Sequence, residues 1–145
     1  MKQDDKDLLL KDLCARLPYG VKCIVTKSRT EEGQKGDVGK IVDICLEGVE
    51  CIDTSPFFSE FGNFKPYLFP LSSINTELIC KLNNLLPEYC RLTKNQIIGV
   101  SGDDYREIKL EQLDNLFKFF NLFHVDFRNL IEKGLAMDAT GKNIY

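Results

Sequence analysis

The chain has one histidine, His124, in the run His-Val-Asp-Phe-Arg, which places Asp126 and Arg128 at alternate positions after it. In an extended segment alternate side chains project to the same side, so an imidazole, a carboxylate and a guanidinium would converge. Such a trio can supply a general base, an orienting acid and an anion binder. Each member also has a structural use. Asp126 can cap a helix that starts at Phe127, and Arg128 fits the outer face of that helix. His124 falls on the apolar side of the preceding helix if that helix continues, where a lone histidine is usually a hydrogen-bonded structural residue. No nucleophile or second acid stands near the trio in sequence, so the structural reading leads and catalysis by His124, Asp126 and Arg128 is the alternative.

The six cysteines are Cys14, Cys23, Cys45, Cys51, Cys80 and Cys90. None forms a C-x-x-C pair, and no secretory leader points to an oxidising compartment. Cys14, Cys23, Cys45 and Cys80 sit inside apolar patterns, where a free thiol behaves as a small hydrophobe. A cysteine nucleophile would have only His124 as its base, and spacing does not choose among the six. No phosphate-binding loop, dinucleotide fingerprint, H-E-x-x-H or G-x-S-x-G occurs. Ser101-Gly102-Asp103-Asp104 reads as a solvated turn without calcium-loop spacing. No metal or cofactor is expected.

The stretch TSPFFSEFGNFKPYLFPLSSI carries Phe57, Phe58, Phe61, Phe64, Tyr67 and Phe69. Pro66 and Pro70 cannot donate ladder hydrogen bonds, so a strand here belongs at a sheet edge. The aromatics either plug the open end of a small barrel or form an exposed patch for a protein partner. On the second reading Phe57, Phe58, Phe61, Phe64 and Tyr67 are the binding residues. Lys22, Lys27, Arg29, Lys35 and Lys40 surround the first hairpin, but Glu31, Glu32 and Asp37 interrupt them and the formal charge is −3. Mixed charge on an exposed loop needs no ligand, which disfavours a nucleic-acid partner.

These residues must be held by recognisable elements. Asp4 to Arg16 reads as a helix capped by Asp4, with Leu9, Leu10, Leu13 and Leu17 on one side and Pro18 ending it. Three strands should follow as a meander. They are Val21 to Thr26, Val38 to Leu46 with Val42, Ile44 and Leu46 on one side, and Val49 to Asp53 after a Glu47-Gly48 turn. Asn75 starts a helix with the stripe Leu78, Ile79, Leu82, Leu85 and Leu86, ended by Pro87. Short strands are expected near Ile97 to Val100 and Tyr105 to Ile108.

The segment Leu110 to Leu135 holds five of the ten phenylalanines. As a helix it aligns Leu110, Leu113, Leu116, Phe117 and Phe120, a stripe against which the other elements should pack. A short helix from Phe127 to Lys133 should close with Gly134 in the left-handed position and Leu135 folded back on Leu130. The tail ATGKNIY reads as loose.

At 145 residues, 43% hydrophobic and 28% charged, the chain suits one soluble domain over 1–145. Its β-rich half runs over 18–74 and its mixed half over 75–145. The expected class is α+β, with a small bent antiparallel sheet resembling an SH3-like partial barrel and helices packed on it. No apolar run is long enough to cross a bilayer, so a cytoplasmic location without a membrane partner is expected.

Three segments carry a resemblance: LLLKDLCARLPYGVK (Leu8 to Lys22), KPYLFPLSS (Lys65 to Ser73) and HVDFRNLIEKGLA (His124 to Ala136). Together they resemble a family of small uncharacterised proteins of Bacteroidales genomes, their prophages and other mobile elements. The resemblance implies a small accessory protein of a bacterium or phage. It marks His124, Asp126, Arg128 and Gly134 as family features but assigns them no role, activity or cofactor. The function expected is a non-catalytic protein-binding module acting through Phe57 to Phe69 and the adjoining hairpin. A small enzyme using His124 with Asp126 or a cysteine is one alternative, and a nucleic-acid-binding small barrel is another.

Overall fold

The first helix, α1 (Gln3–Arg16), starts one residue earlier than its acidic cluster suggests. Lys2 occupies the capping position without a side-chain bond, so Asp4 is not the cap. Asp4 and Asp5 lie in the first turn instead, where carboxylates favour the positive end of the helix dipole. Pro18 stops the helix as expected, and the chain passes through a 3-10 turn, Leu17–Tyr19. Gly20 then reverses direction at φ 74°, its N–H bonding the Leu17 carbonyl. The structure is a computed structural model that describes residues 1–27, 34–52, 56–74, 79–80, 84, 90–92, 97–99 and 110–145. Most of the helix expected from Asn75, the turn at Ser101 to Asp104 and the strand at Tyr105 to Ile108 lie outside the described residues.

The chain is α+β, with a second helix, α2 (Leu110–Leu122), and a bent sheet of seven strands. The strands are β1 (Lys22–Val25), β2 (Val38–Ile44), β3 (Gly48–Ile52), β4 (Pro56–Glu60) and β5 (Phe64–Pro70). A separate hairpin pairs β6 (Cys90–Leu92) with β7 (Ile97–Gly99), and β8 (Val125–Asp126) and β9 (Met137–Asp138) complete the set. The order is β4-β3-β2-β1-β5-β8, with β9 also on β5. β1 to β5 pair antiparallel, but β8 and β9 join β5 in parallel, so the sheet is mixed rather than antiparallel throughout. It does not close into a barrel.

The prolines misplace one edge. β5 is interior despite Pro66 and Pro70, because its partners change along its length. Phe64 to Pro66 face β1, Tyr67 and Leu68 pair with β9, and Phe69 and Pro70 pair with β8. One edge strand is β4, whose proline is its first residue, and the far end of the order is β8.

Period-two alternation builds the main core. Cys23, Val25, Ile41, Val49, Cys51, Phe57 and Phe64 point inward and meet Leu9 and Leu13 of α1. Full burial of each aliphatic side chain contributes roughly 1.5–3 kcal/mol of transfer free energy. In β2 the inward residue is Ile41, whereas Val42 is exposed and Leu46, beyond the strand, is 70% exposed. A register shift between Ile41 and Asp43 re-phases the strand, which is why the alternation of Val42, Ile44 and Leu46 misleads. At the centre, Gly39 leaves room for its neighbours. A Cβ there would lie 2.8 Å from Cε1 of Phe57 and 3.1 Å from Cβ of Cys51. The vacated space lets the buried thiols of Cys23 and Cys51 meet at 3.3 Å. Cys14, Cys45 and Cys80 are exposed, contrary to their apolar surroundings in sequence.

Helix α2 does not cover the main core and meets the sheet at β8. Its buried residues Leu116, Phe119 and Phe120 form a second cluster with Ile74 and Val125, separate from the main core. The stripe is also rotated, since Phe119 is buried and Phe117 is 46% exposed. The main core finds its covering helix in α1 instead.

Beyond β8, residues 127–133 form turns rather than the expected helix, and Asn129 adopts φ 57° within them. The closing motif is nonetheless present. Gly134 lies at φ 70° and bonds Ile131, while the Leu135 N–H reaches the Leu130 carbonyl at 2.8 Å. The tail is pinned rather than loose. Lys22 Nζ donates to the Ile144 carbonyl at 2.6 Å, and the Tyr145 hydroxyl donates to the Tyr67 carbonyl at 2.7 Å.

Candidate functional site

A buried polar group lies where α1 meets the end of α2 and β8. Asp12 and Arg16 stand four residues apart on α1, on one face, and both are fully buried. Arg16 grips the carboxylate as a fork, with Nε to Oδ2 at 2.6 Å and Nη2 to Oδ1 at 3.0 Å. The remaining donors cross to the other end of the chain. Nη1 donates to the Phe120 carbonyl at 3.2 Å and Nη2 to the Val125 carbonyl at 2.8 Å. Phe120 lies in the last turn of α2, where carbonyls have no partner within the helix and the dipole end is negative. A buried guanidinium is well suited to that end. Arg128 adds a second contact to Asp12, Nη1 to Oδ1 at 3.2 Å, and stacks over the Phe127 ring at 4.7 Å.

His124, Asp126 and Arg128 do not converge. The extended piece is only Val125–Asp126, and His124 sits just before it at φ 52°, which breaks the alternation. Both Asp126 oxygens accept backbone N–H groups, from Leu130 and Ile131, each at 2.8 Å. Arg128 turns to Asp12 and Phe127. His124 stacks on Tyr145, ring centroids 4.1 Å apart and nearly parallel. Among the described residues its Nδ1 is buried without a hydrogen-bond partner, as is Oδ1 of Asn121, one turn earlier. Burial, helped by the nearby Arg16 charge, pushes the His124 pKa down to about 4, so the ring is neutral at pH 7.

Tyr145 completes this corner. Its hydroxyl accepts from the Lys22 N–H at 3.2 Å besides donating to Tyr67, and its ring lies 5.9 Å from that of Phe69. Burial pushes its pKa up to about 12.

The aromatic stretch divides sharply. Phe57, Phe64 and Tyr67 are buried, and Phe61 is half-buried against Phe64 with Lys6 over its ring. Those buried side chains belong to the core and offer no surface to a partner. Phe58 is 39% exposed on the outer face of β4. Glu50 pairs with it across the ladder and Asp43 pairs with Glu50, so one row reads Asp43, Glu50, Phe58. The adjacent row holds Lys40, Ile52 and Pro56, with Ile52 45% exposed.

Sequence reasoning passed over Asp12, Ile52 and Tyr145 and gave Arg16 only a helix-end role. The four-residue spacing of Asp12 and Arg16 was an available signal, whereas nothing local marks Tyr145. Among the described residues no three His, Cys, Asp or Glu side chains are grouped to hold a metal ion. No helix among them is long and apolar enough to cross a membrane. Comparison with known proteins finds no matching family, no similar curated protein and no similar solved structure.

Proposed function

We propose that the protein is a non-catalytic protein-binding module of the cytoplasm, and that its contact surface is the outer face of β2, β3 and β4. The observation that carries this reading is the exposed pair Phe58 and Ile52 on an edge of the sheet, set among Asp43 and Glu50. Like charges directly opposite on neighbouring strands are unfavourable, and a partner carrying basic and apolar side chains relieves that repulsion while covering the apolar pair. We read β1 to β5 as an SH3-like partial barrel, since a four-strand meander returns its fifth strand to the first. The resemblance to small Bacteroidales and prophage proteins suggests an accessory role in a bacterium or phage. The catalytic alternative draws less support, because the Asp126 oxygens are occupied and His124 faces a tyrosine rather than an acid or thiol. The acidic outer face also weighs against nucleic acid.

The test is affinity capture from a lysate of the source organism, with and without nuclease, using the wild type and Phe58→Asp. The reading expects a protein captured by the wild type in both conditions and lost with Phe58→Asp. Equal capture by the two proteins, or capture that vanishes with nuclease, contradicts it.

A further inference from the structure

Tyr145 is one of the residues that hold the last segment against the sheet, and the place it occupies has the features of a binding slot. The Tyr145 ring stacks on the His124 ring at 4.1 Å and meets the Phe69 ring, tilted, at 5.9 Å. At the inner end its hydroxyl meets one acceptor and one donor, the Tyr67 carbonyl at 2.7 Å and the Lys22 N–H at 3.2 Å. This pairing matches a phenol, which can donate and accept at the same oxygen. Two aromatic walls and a polar floor therefore select a hydroxylated ring over a plain one.

Two further observations distinguish the slot from a tail anchor alone. Lys142 and Asn143 are exposed, and Tyr145 is 44% exposed as a whole residue although its hydroxyl end is buried, so the slot opens to solvent at its outer end only. The wall also keeps polar atoms that Tyr145 does not satisfy. Nδ1 of His124, a residue only 6% exposed, is buried and unpaired among the described residues, and so is Oδ1 of Asn121, whose backbone carbonyl accepts the His124 N–H. Buried polar atoms ordinarily have partners, and leaving one without is unfavourable.

We propose that this slot is a binding site for a phenolic ring, held in this structure by the chain's own Tyr145 and open to a competing phenol that also carries an amide or amine able to reach Asn121 or His124. A tethered side chain competes at an effective concentration on the order of millimolar, so an external phenol enters only where it makes contacts that Tyr145 lacks or where the tail is drawn away.

The Tyr145→Ala variant of the 145-residue chain tests the site. It is titrated with N-acetyl-tyrosinamide, N-acetyl-phenylalaninamide and para-cresol, following backbone amide shifts at Lys22, Phe69 and His124. The tyrosine amide should give saturable shifts at these residues, at least about tenfold tighter than the phenylalanine amide, because only it engages both hydroxyl partners. It should also raise the thermal midpoint of Tyr145→Ala, whereas a tail that serves only as an anchor gives no such rescue. Cresol should bind more weakly than the tyrosine amide, and cresol binding as tightly would overturn the requirement for an amide or amine. If Tyr145→Ala does not fold, Tyr145→Phe takes its place, and the tyrosine amide should then act at lower concentration than on the wild type. Equal response to the tyrosine and phenylalanine amides, or none from a folded variant, overturns the proposal.

Discussion

The main core and the seam between α1 and β8 are built on opposite principles. The core is apolar, and its contacts run between neighbouring strands and the helix that covers them. It includes two cysteines and a glycine because the sheet bends enough for second-neighbour strands to touch. The seam is polar and fully buried. A single guanidinium there ties residue 12 to residues 120 and 125. Burying charge costs several kcal/mol per ion, so such a pair gives definite geometry more than raw stability. The comparison teaches that the apolar region sets where the sheet folds, whereas the seam sets where the far end of the chain attaches.

The sharpest way to break the comparison is Arg16→Met. It leaves Asp12 buried with only Arg128 and strips the Phe120 and Val125 carbonyls of their donor. A loss of about 3–5 kcal/mol is expected by urea denaturation. The corresponding probe of the apolar core is Gly39→Ala, which pushes a methyl into Phe57 and Cys51. That overpacking should cost about 1–3 kcal/mol without altering the seam.

The seam should also respond to pH in a way the core cannot. The folded His124 titrates near 4, whereas the unfolded imidazole titrates near its ordinary 6.5. Between those values the unfolded chain binds more protons, so stability is full above pH 6.5 and is lost as pH falls toward 4. The difference between wild type and His124→Asn isolates this effect, since asparagine tolerates the left-handed backbone. It should reach up to roughly 2 kcal/mol once solvent screening is discounted. The smallest effect sought is that of Asp126→Ala, about 1 kcal/mol, with faster amide exchange at Leu130 and Ile131 and no change elsewhere.

How far each region is legible in the sequence follows from the same contrast. Alternation and turn chemistry place β1 to β3, the stop at Pro18 and the closing motif at Gly134, because each is a local preference. The phase of β2 fails at the irregularity after Ile41, which no residue type announces. The α2 stripe is rotated from Phe117 to Phe119 because the angle of a helix is settled by what it packs against, here Ile74 and Val125. The edge expected at Pro66 fails because a strand with different partners along its length need not use every donor. Of the candidate trio, Asp126 does bond backbone N–H groups just after it, as a capping carboxylate would, but it holds a turn at Leu130 and Ile131 rather than the expected helix. The partners of His124 and Arg128 lie about 20 and 116 residues away, beyond any local pattern.

The central claim is that Asp12 and Arg16 act as one joint holding the two ends of the chain. It is tested most directly by a double-mutant cycle on urea-denaturation free energies with Asp12→Leu, Arg16→Met and the pair together. The account predicts that the double variant is less destabilised than the two single losses summed, by about 2–3 kcal/mol. Losses that simply add would contradict it.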